Sequence, residues 1–111
     1  MNVTNLFAAL PQDLTVEHFE VLLETPVLKV ERIISSGQTS PESGWYDQAW
    51  GEWVMVLQGV AEITFADGRV ISLQQGDSVD IPAHCRHRVS YTREAPPTLW
   101  LAVHYAAHDD Q

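Results

Sequence analysis

From Val16 onward the chain is a series of short apolar-rich runs separated by turn residues. "VLKVERIIS" (Val27 to Ser35) alternates as a half-buried strand does, and "EWVMVLQG" (Glu52 to Gly59) is apolar at nearly every position. "VAEITFADGRVISL" places two β-rich runs around Asp67-Gly68, a dipeptide suited to a type I′ hairpin. "SVDIP" stops at Pro82, and "HRVSYT" and "TLWLAVHY" supply two more strands joined through Glu94-Ala95-Pro96-Pro97. Strands this short, with turns every ~8–12 residues, predict an all-β sandwich or barrel of about eight or more antiparallel strands. The first dozen residues are weakly patterned; Pro11 closes a segment that predicts one helical turn.

Period-2 alternation assigns faces. Glu52, Val54 and Val56 share one face of their strand, and Trp53, Met55 and Leu57 share the other. On "HRVSYT", His87, Val89 and Tyr91 lie opposite Arg88, Ser90 and Thr92, and the polar set marks the wet side. Glu52 and His87 are therefore expected to point into one interior although 34 residues separate them. A carboxylate enters an apolar strand where something pairs with it or binds to it. Arg32 alternates with Val30 and Ile34, so it is read either as an inward group meeting an anionic ligand or as a surface residue.

Composition narrows the function classes. The 111 residues, 45% of them hydrophobic, suit a single domain over 1–111 that can bury a core without disulfides. The net charge is −9, and Lys29 is the only lysine, a balance that repels phosphate backbones and excludes nucleic acid as the expected partner. No segment approaches the ~20 apolar residues that span a bilayer, so no membrane partner is expected. Cys85 is the only cysteine, and "MNVTNLFAALPQDL" lacks the pattern of a signal peptide; a reducing cytoplasm is the expected location. The apolar face of Trp53, Met55 and Leu57 needs cover, from the N-terminal residues or from a second chain, and a homodimer is the expectation.

The spacing of glycines, proline, glutamate and histidine resembles the cupin pattern. Gly44 opens a first motif in which Glu52 is followed by six residues and Gly59; Gly76, Pro82 and His87 fall at the separations of the second, sixteen residues later. The resemblance covers roughly 27–105, with 1–26 as an N-terminal extension, and implies a small single-domain cupin: a jelly-roll, or double-stranded β-helix, antiparallel β-barrel. The first motif is degenerate. Its two histidine positions fall on Tyr46 and Gln48, or on Trp45 and Asp47 under the longer spacing, and the second motif carries His84 and Tyr91 where the pattern has glycine and asparagine.

Cupin metal sites gather three imidazoles and a carboxylate. The resemblance therefore implies a divalent metal (iron, manganese, nickel or zinc) held by Glu52, His87 and either Asp47 or Gln48. Tyr46 and His104 are the candidate proton-moving groups. With the metal lost, Glu52 and His87 would instead form a buried pair. The alternatives in function are a metal-dependent oxygenase, isomerase or lyase acting on a small molecule, and a non-catalytic or sensory small-molecule binder. "HCRH" (His84 to His87), with a single cysteine, is a weak zinc signal, and Cys85 a weak nucleophile candidate. Trp50 and Tyr91, with Tyr46, would line a pocket, and His18 and His108 read as surface residues.

Overall fold

The computed structural model describes residues 1–40 and 44–106. Eight strands follow in order: β1 (His18–Thr25), β2 (Leu28–Ser35), β3 (Gly51–Gln58), β4 (Val60–Phe65), β5 (Val70–Gln74), β6 (Ser78–Ile81), β7 (His87–Thr92) and β8 (Thr98–Tyr105). They form two antiparallel sheets, a five-stranded β1-β2-β8-β3-β6 and a three-stranded β5-β4-β7, the arrangement of a jelly roll. No helix occurs among the described residues, so none there could cross a membrane. The expected helical turn is instead a turn in which the Ala8 amide donates to the Asn5 carbonyl and the Phe7 amide to Asn5 Oδ1.

The inner faces of the sheets meet in a core of Ile33, Val54, Val56, Ile63, Phe65, Ile81 and Trp100. Between β3 and β4 the chain passes from one sheet to the other. Gly59 makes that corner with φ +94, and a Cβ there would press on Thr98, whose hydroxyl donates to the Val60 carbonyl. The Asp67-Gly68 hairpin forms, but only Gly68 has positive φ. The Gly68 amide donates to Phe65 and the Phe65 amide to Arg69, which describes a tight turn followed by a left-handed glycine rather than type I′.

The outer face of the larger sheet is covered by the same chain. Leu6, Leu10 and Leu14 pack, with Met55 and Leu101, against the buried Ile34, Leu57 and Leu99. Arg32 fastens this cover. Its guanidinium donates to the carbonyls of Leu6, Ala8 and Ala9 and pairs with Glu20, so it is a buried outer-face latch, neither an anion receptor nor a surface group. Covering Met55 and Leu57 from within the chain removes the reason for placing a dimer contact there.

Alternation fails at one informative point. Val89 pairs with Ile63 and Tyr91 with Glu62, leaving Ser90 as an extra residue in β7. Beyond this bulge the faces exchange: Tyr91 turns outward and Thr92 is buried. Tyr91 is therefore not a pocket residue.

A charged donor contributes about 1.5–3 kcal/mol per hydrogen bond, so Arg32→Met is expected to cost about 2–4 kcal/mol once its apolar stem is kept. Denaturant unfolding should show that loss, and limited proteolysis should cut before β1 faster than in wild type. Unchanged stability and cleavage would show that Arg32 is not the latch.

Candidate functional site

A cavity of about 320 Å³ opens inside the barrel. Alternation on five strands fills its wall: Glu31 and Ile33 from β2, Glu52 and Val54 from β3, Ile63 from β4, His87 and Val89 from β7, and Trp100 and His104 from β8. Tyr46 and Gln48 reach it from the loop before β3, which is tied to β7 by paired amide–carbonyl bonds between Tyr46 and His87. Glu17 and Phe19 complete one edge.

Glu52 and His87 do meet in this interior. His87 Nδ1 donates to the Cys85 carbonyl at 2.8 Å, which fixes the ring and turns Nε2 toward Glu52 Oε1 at 3.7 Å. The other Glu52 oxygen lies 3.9 Å from His104 Nε2, which itself donates to Glu31 at 2.9 Å. Lys29 stands 3.8 Å from the second Glu31 oxygen. The result is a row in which carboxylates alternate with nitrogen groups, Lys29–Glu31–His104–Glu52–His87, running from a half-exposed cation to a buried imidazole.

Burial disfavours a charged His87, but Glu52 beside Nε2 and the Cys85 carbonyl on Nδ1 outweigh it, and the ring holds its proton above the ordinary 6.5. Glu17 is also pushed above the usual carboxylate range by burial, against a hydrogen bond from Ser35 at 2.5 Å. Ser35 in turn accepts from Trp100 Nε1 at 3.2 Å, so a third carboxylate is built into the wall through a side-chain network.

Other candidates fall elsewhere. Asp47 leaves the cavity: its carboxylate pairs with His84 Nδ1 at 2.7 Å on an exposed rim. His84, at the position of the motif glycine, has φ +62, and its amide donates to the Gln48 carbonyl. The contacts with Asp47 and Gln48 hold a conformation that side-chain-bearing residues seldom adopt. With His84 turned to Asp47 and His87 turned inward, "HCRH" forms no metal box. Cys85 is half-buried against the core. Trp50 lines a second, shallower cleft with Glu24, Lys29, Gln48, Ala49 and His104. His18 is bonded to the Asp13 carbonyl, and His108 lies outside the described residues.

Sequence reasoning missed Glu31 and Glu17. Glu31 stands between Lys29 and Arg32, where a charged cluster reads as a solvated face until His104 on β8 is seen to meet it. Glu17 precedes β1 and carries no periodic signal.

The donor set, two carboxylates and two imidazoles, is of metal-binding type. Its placement is not. Among the described residues no three His, Cys, Asp or Glu side chains converge on a point that could hold an ion. The groups face one another in pairs, Asp47 is turned away, and Tyr46 and Gln48 bring weak donors. As arranged, these residues do not fit a divalent metal.

A profile of the cupin domain family matches residues 32–104. The chain belongs to the cupin family. Among solved structures, this cupin is similar to a protein of Ralstonia eutropha JMP134 provisionally described as a mannose-6-phosphate isomerase. The identity is 48%, the TM-score 0.90, and the match covers 96% of this chain and 100% of that one. It shares its fold with a cupin superfamily protein of Desulfitobacterium hafniense DCB-2 (18% identity, TM-score 0.74, 87% and 84% coverage). The fold recurs in the Fe(II) protein HppE (18% identity, TM-score 0.67, 80% and 50% coverage). A search of curated proteins finds no match.

The raised His87 pKa has a definite consequence. A histidine held protonated by the fold adds stability that is fully present below its unfolded value near 6.5 and is lost as pH rises through the folded value. Glu17 acts in the same direction at lower pH, because the cost of holding it ionised is relieved as pH falls toward 4.5. Glu52→Gln should therefore lower the His87 pKa in an NMR titration and flatten the loss of stability above pH 6.5, leaving the Glu17 contribution in place. An unchanged His87 titration would remove Glu52 as its partner.

Proposed function

We propose that this cupin binds a small organic molecule in its barrel and exchanges protons with it through its own side chains, without a metal. The observation that carries this reading is the row Glu31–His104–Glu52–His87, whose groups face one another in pairs instead of converging. Glu52 and His87 Nε2 both face the cavity, and a buried carboxylate beside a readily protonated imidazole is a base next to an acid. In the isomerisation this supports, Glu52 takes a proton from carbon beside a carbonyl while His87 gives one to the carbonyl oxygen. With a hydroxyl on the carbon first deprotonated, Glu52 then returns its proton to the former carbonyl carbon while His87 takes the proton of that hydroxyl, which exchanges the carbonyl and hydroxyl positions, restores both groups and involves no net oxidation. His104, held by Glu31, orients Glu52, and Tyr46, its ring 5.6 Å from His87, borders the reacting space.

The phosphosugar chemistry attached to the Ralstonia relative does not carry over readily. A phosphate monoester calls for several cationic or N–H donors. Among the described residues lining the cavity Lys29 is the one lysine or arginine, and it is already engaged with Glu31.

Metal content decides between this reading and the one the resemblance implies. Protein purified without an affinity tag should hold far less than one iron, manganese, nickel or zinc per chain, and a chelator should leave its melting temperature unchanged. Near-stoichiometric metal that is lost in Glu52→Gln and His87→Ala would overturn the proposal.

The homodimer belongs to the same reading with its contact moved. β1 is an edge strand whose Phe19, Val21, Leu22 and Leu23 are exposed, an apolar edge that soluble proteins cover. Light scattering at micromolar concentration should give a dimer mass that falls to monomer in Val21→Lys/Leu23→Lys; a monomeric wild type rejects it. The acidic surface and the single cysteine support a cytoplasmic protein without nucleic-acid partners.

A further inference from the structure

We propose that the cavity selects a protonated organic amine, a refinement that rests on the small-molecule reading above. Charge is the first argument. Among the described residues the wall carries Glu17, Glu31 and Glu52 against Lys29 and, when it is protonated, His87, so it is negative by two with neutral imidazoles and by one with His87 charged. The arginines that could have reversed this are directed elsewhere: Arg32 is turned to the outer face, and Arg88 stacks on Trp45 at 5.4 Å. An anionic ligand would enter against that field, whereas an ammonium group is drawn in by it.

The second argument is the unequal engagement of the three carboxylates. Glu17 is hydrogen-bonded by Ser35, and Glu31 is hydrogen-bonded by His104 and paired with Lys29. Glu52 differs. The imidazole nitrogens facing its oxygens stand at 3.7 and 3.9 Å, beyond hydrogen-bond length, although the side chain is only 12% exposed. A buried carboxylate without close donors is costly unless a partner arrives, and an N–H of an ammonium is a charge-assisted donor of the right sign.

The third argument is the rest of the wall. Phe19, Tyr46 and Trp100 bring aromatic rings, and Ile33, Val54, Ile63, Ile81 and Val89 an apolar floor. Rings stabilise a desolvated cation through their negative faces, and the apolar positions suit a short hydrocarbon body. A volume of about 320 Å³ lies at the small end of the ~300–1,000 Å³ usual for ligand pockets, which favours a compact amine over a large one.

Probes of one shape and different charge test this directly: n-pentylamine, 1-pentanol and pentanoate, with mannose 6-phosphate as a fourth, titrated calorimetrically into the full chain near neutral pH. The amine should bind at least about tenfold more tightly than pentanol, with pentanoate and the sugar phosphate weaker still. Glu52→Gln should reduce amine affinity about tenfold while leaving pentanol affinity unchanged. Should Glu52→Gln fail to fold, Glu31→Gln, which makes the cavity less negative while keeping the Glu52 carboxylate, should still weaken the amine relative to pentanol. Pentanol binding with no preference for the amine would overturn the cation selectivity and leave the pocket reading standing. Pentanoate or mannose 6-phosphate binding as tightly as the amine would overturn it outright, and failure of all four probes would remove the pocket reading as well.

Discussion

The larger sheet is apolar on both faces, and the rest of the molecule follows from having to cover both. β3 presents Val54 and Val56 to one side and Met55 and Leu57 to the other; β8 does the same with Trp100 and Ala102 against Leu99 and Leu101. A three-stranded sheet closes the first side and leaves a cavity where it falls short of full contact. Three leucines from the N-terminal residues close the second. That cover has no strand pairing of its own before His18, so it is held by side chains, with Arg32 collecting otherwise unsatisfied turn carbonyls beneath it.

Inside, chemistry is confined to what alternation permits. Each strand offers every second residue to the cavity, and those places are occupied mostly by carbon. The exceptions, Glu31, Glu52, His87 and His104, come from four strands and lie within electrostatic reach of one another. Glu31, His104 and His87 tolerate burial because each has a hydrogen-bonding neighbour, whereas Glu52 meets its imidazoles only at longer range. The same pairing that makes the row stable keeps its donors from gathering around a common point.

Seven of the strands were legible to within a residue or two because turn residues bracket them and β-rich runs fill them; β1 was legible only as extended chain after Val16. The meeting of Glu52 and His87 was legible from motif spacing and alternation together. Tyr91 was misplaced because a bulge is a one-residue event with no compositional mark at Ser90. Asp47 and Gln48 could not be told apart in sequence; in space His84 draws Asp47 to the rim and leaves Gln48 on the wall. Arg32 was ambiguous because a strand buried on both faces makes inward and outward equally apolar. Glu31 needed a partner from β8 to become visible.

The N-terminal residues have a further meaning for where this domain begins. The family profile starts at residue 32, yet the cavity wall includes Glu17, Phe19, Lys29 and Glu31. The container is therefore larger than the shared scaffold. Two of the three carboxylates described on its wall, and its lysine, precede the boundary that family comparison draws, so a fragment cut to that boundary would keep most of the barrel strands and the Glu52–His87 pair while discarding much of the charge around them. Annotation transferred along the matched stretch alone passes over those residues in the same way.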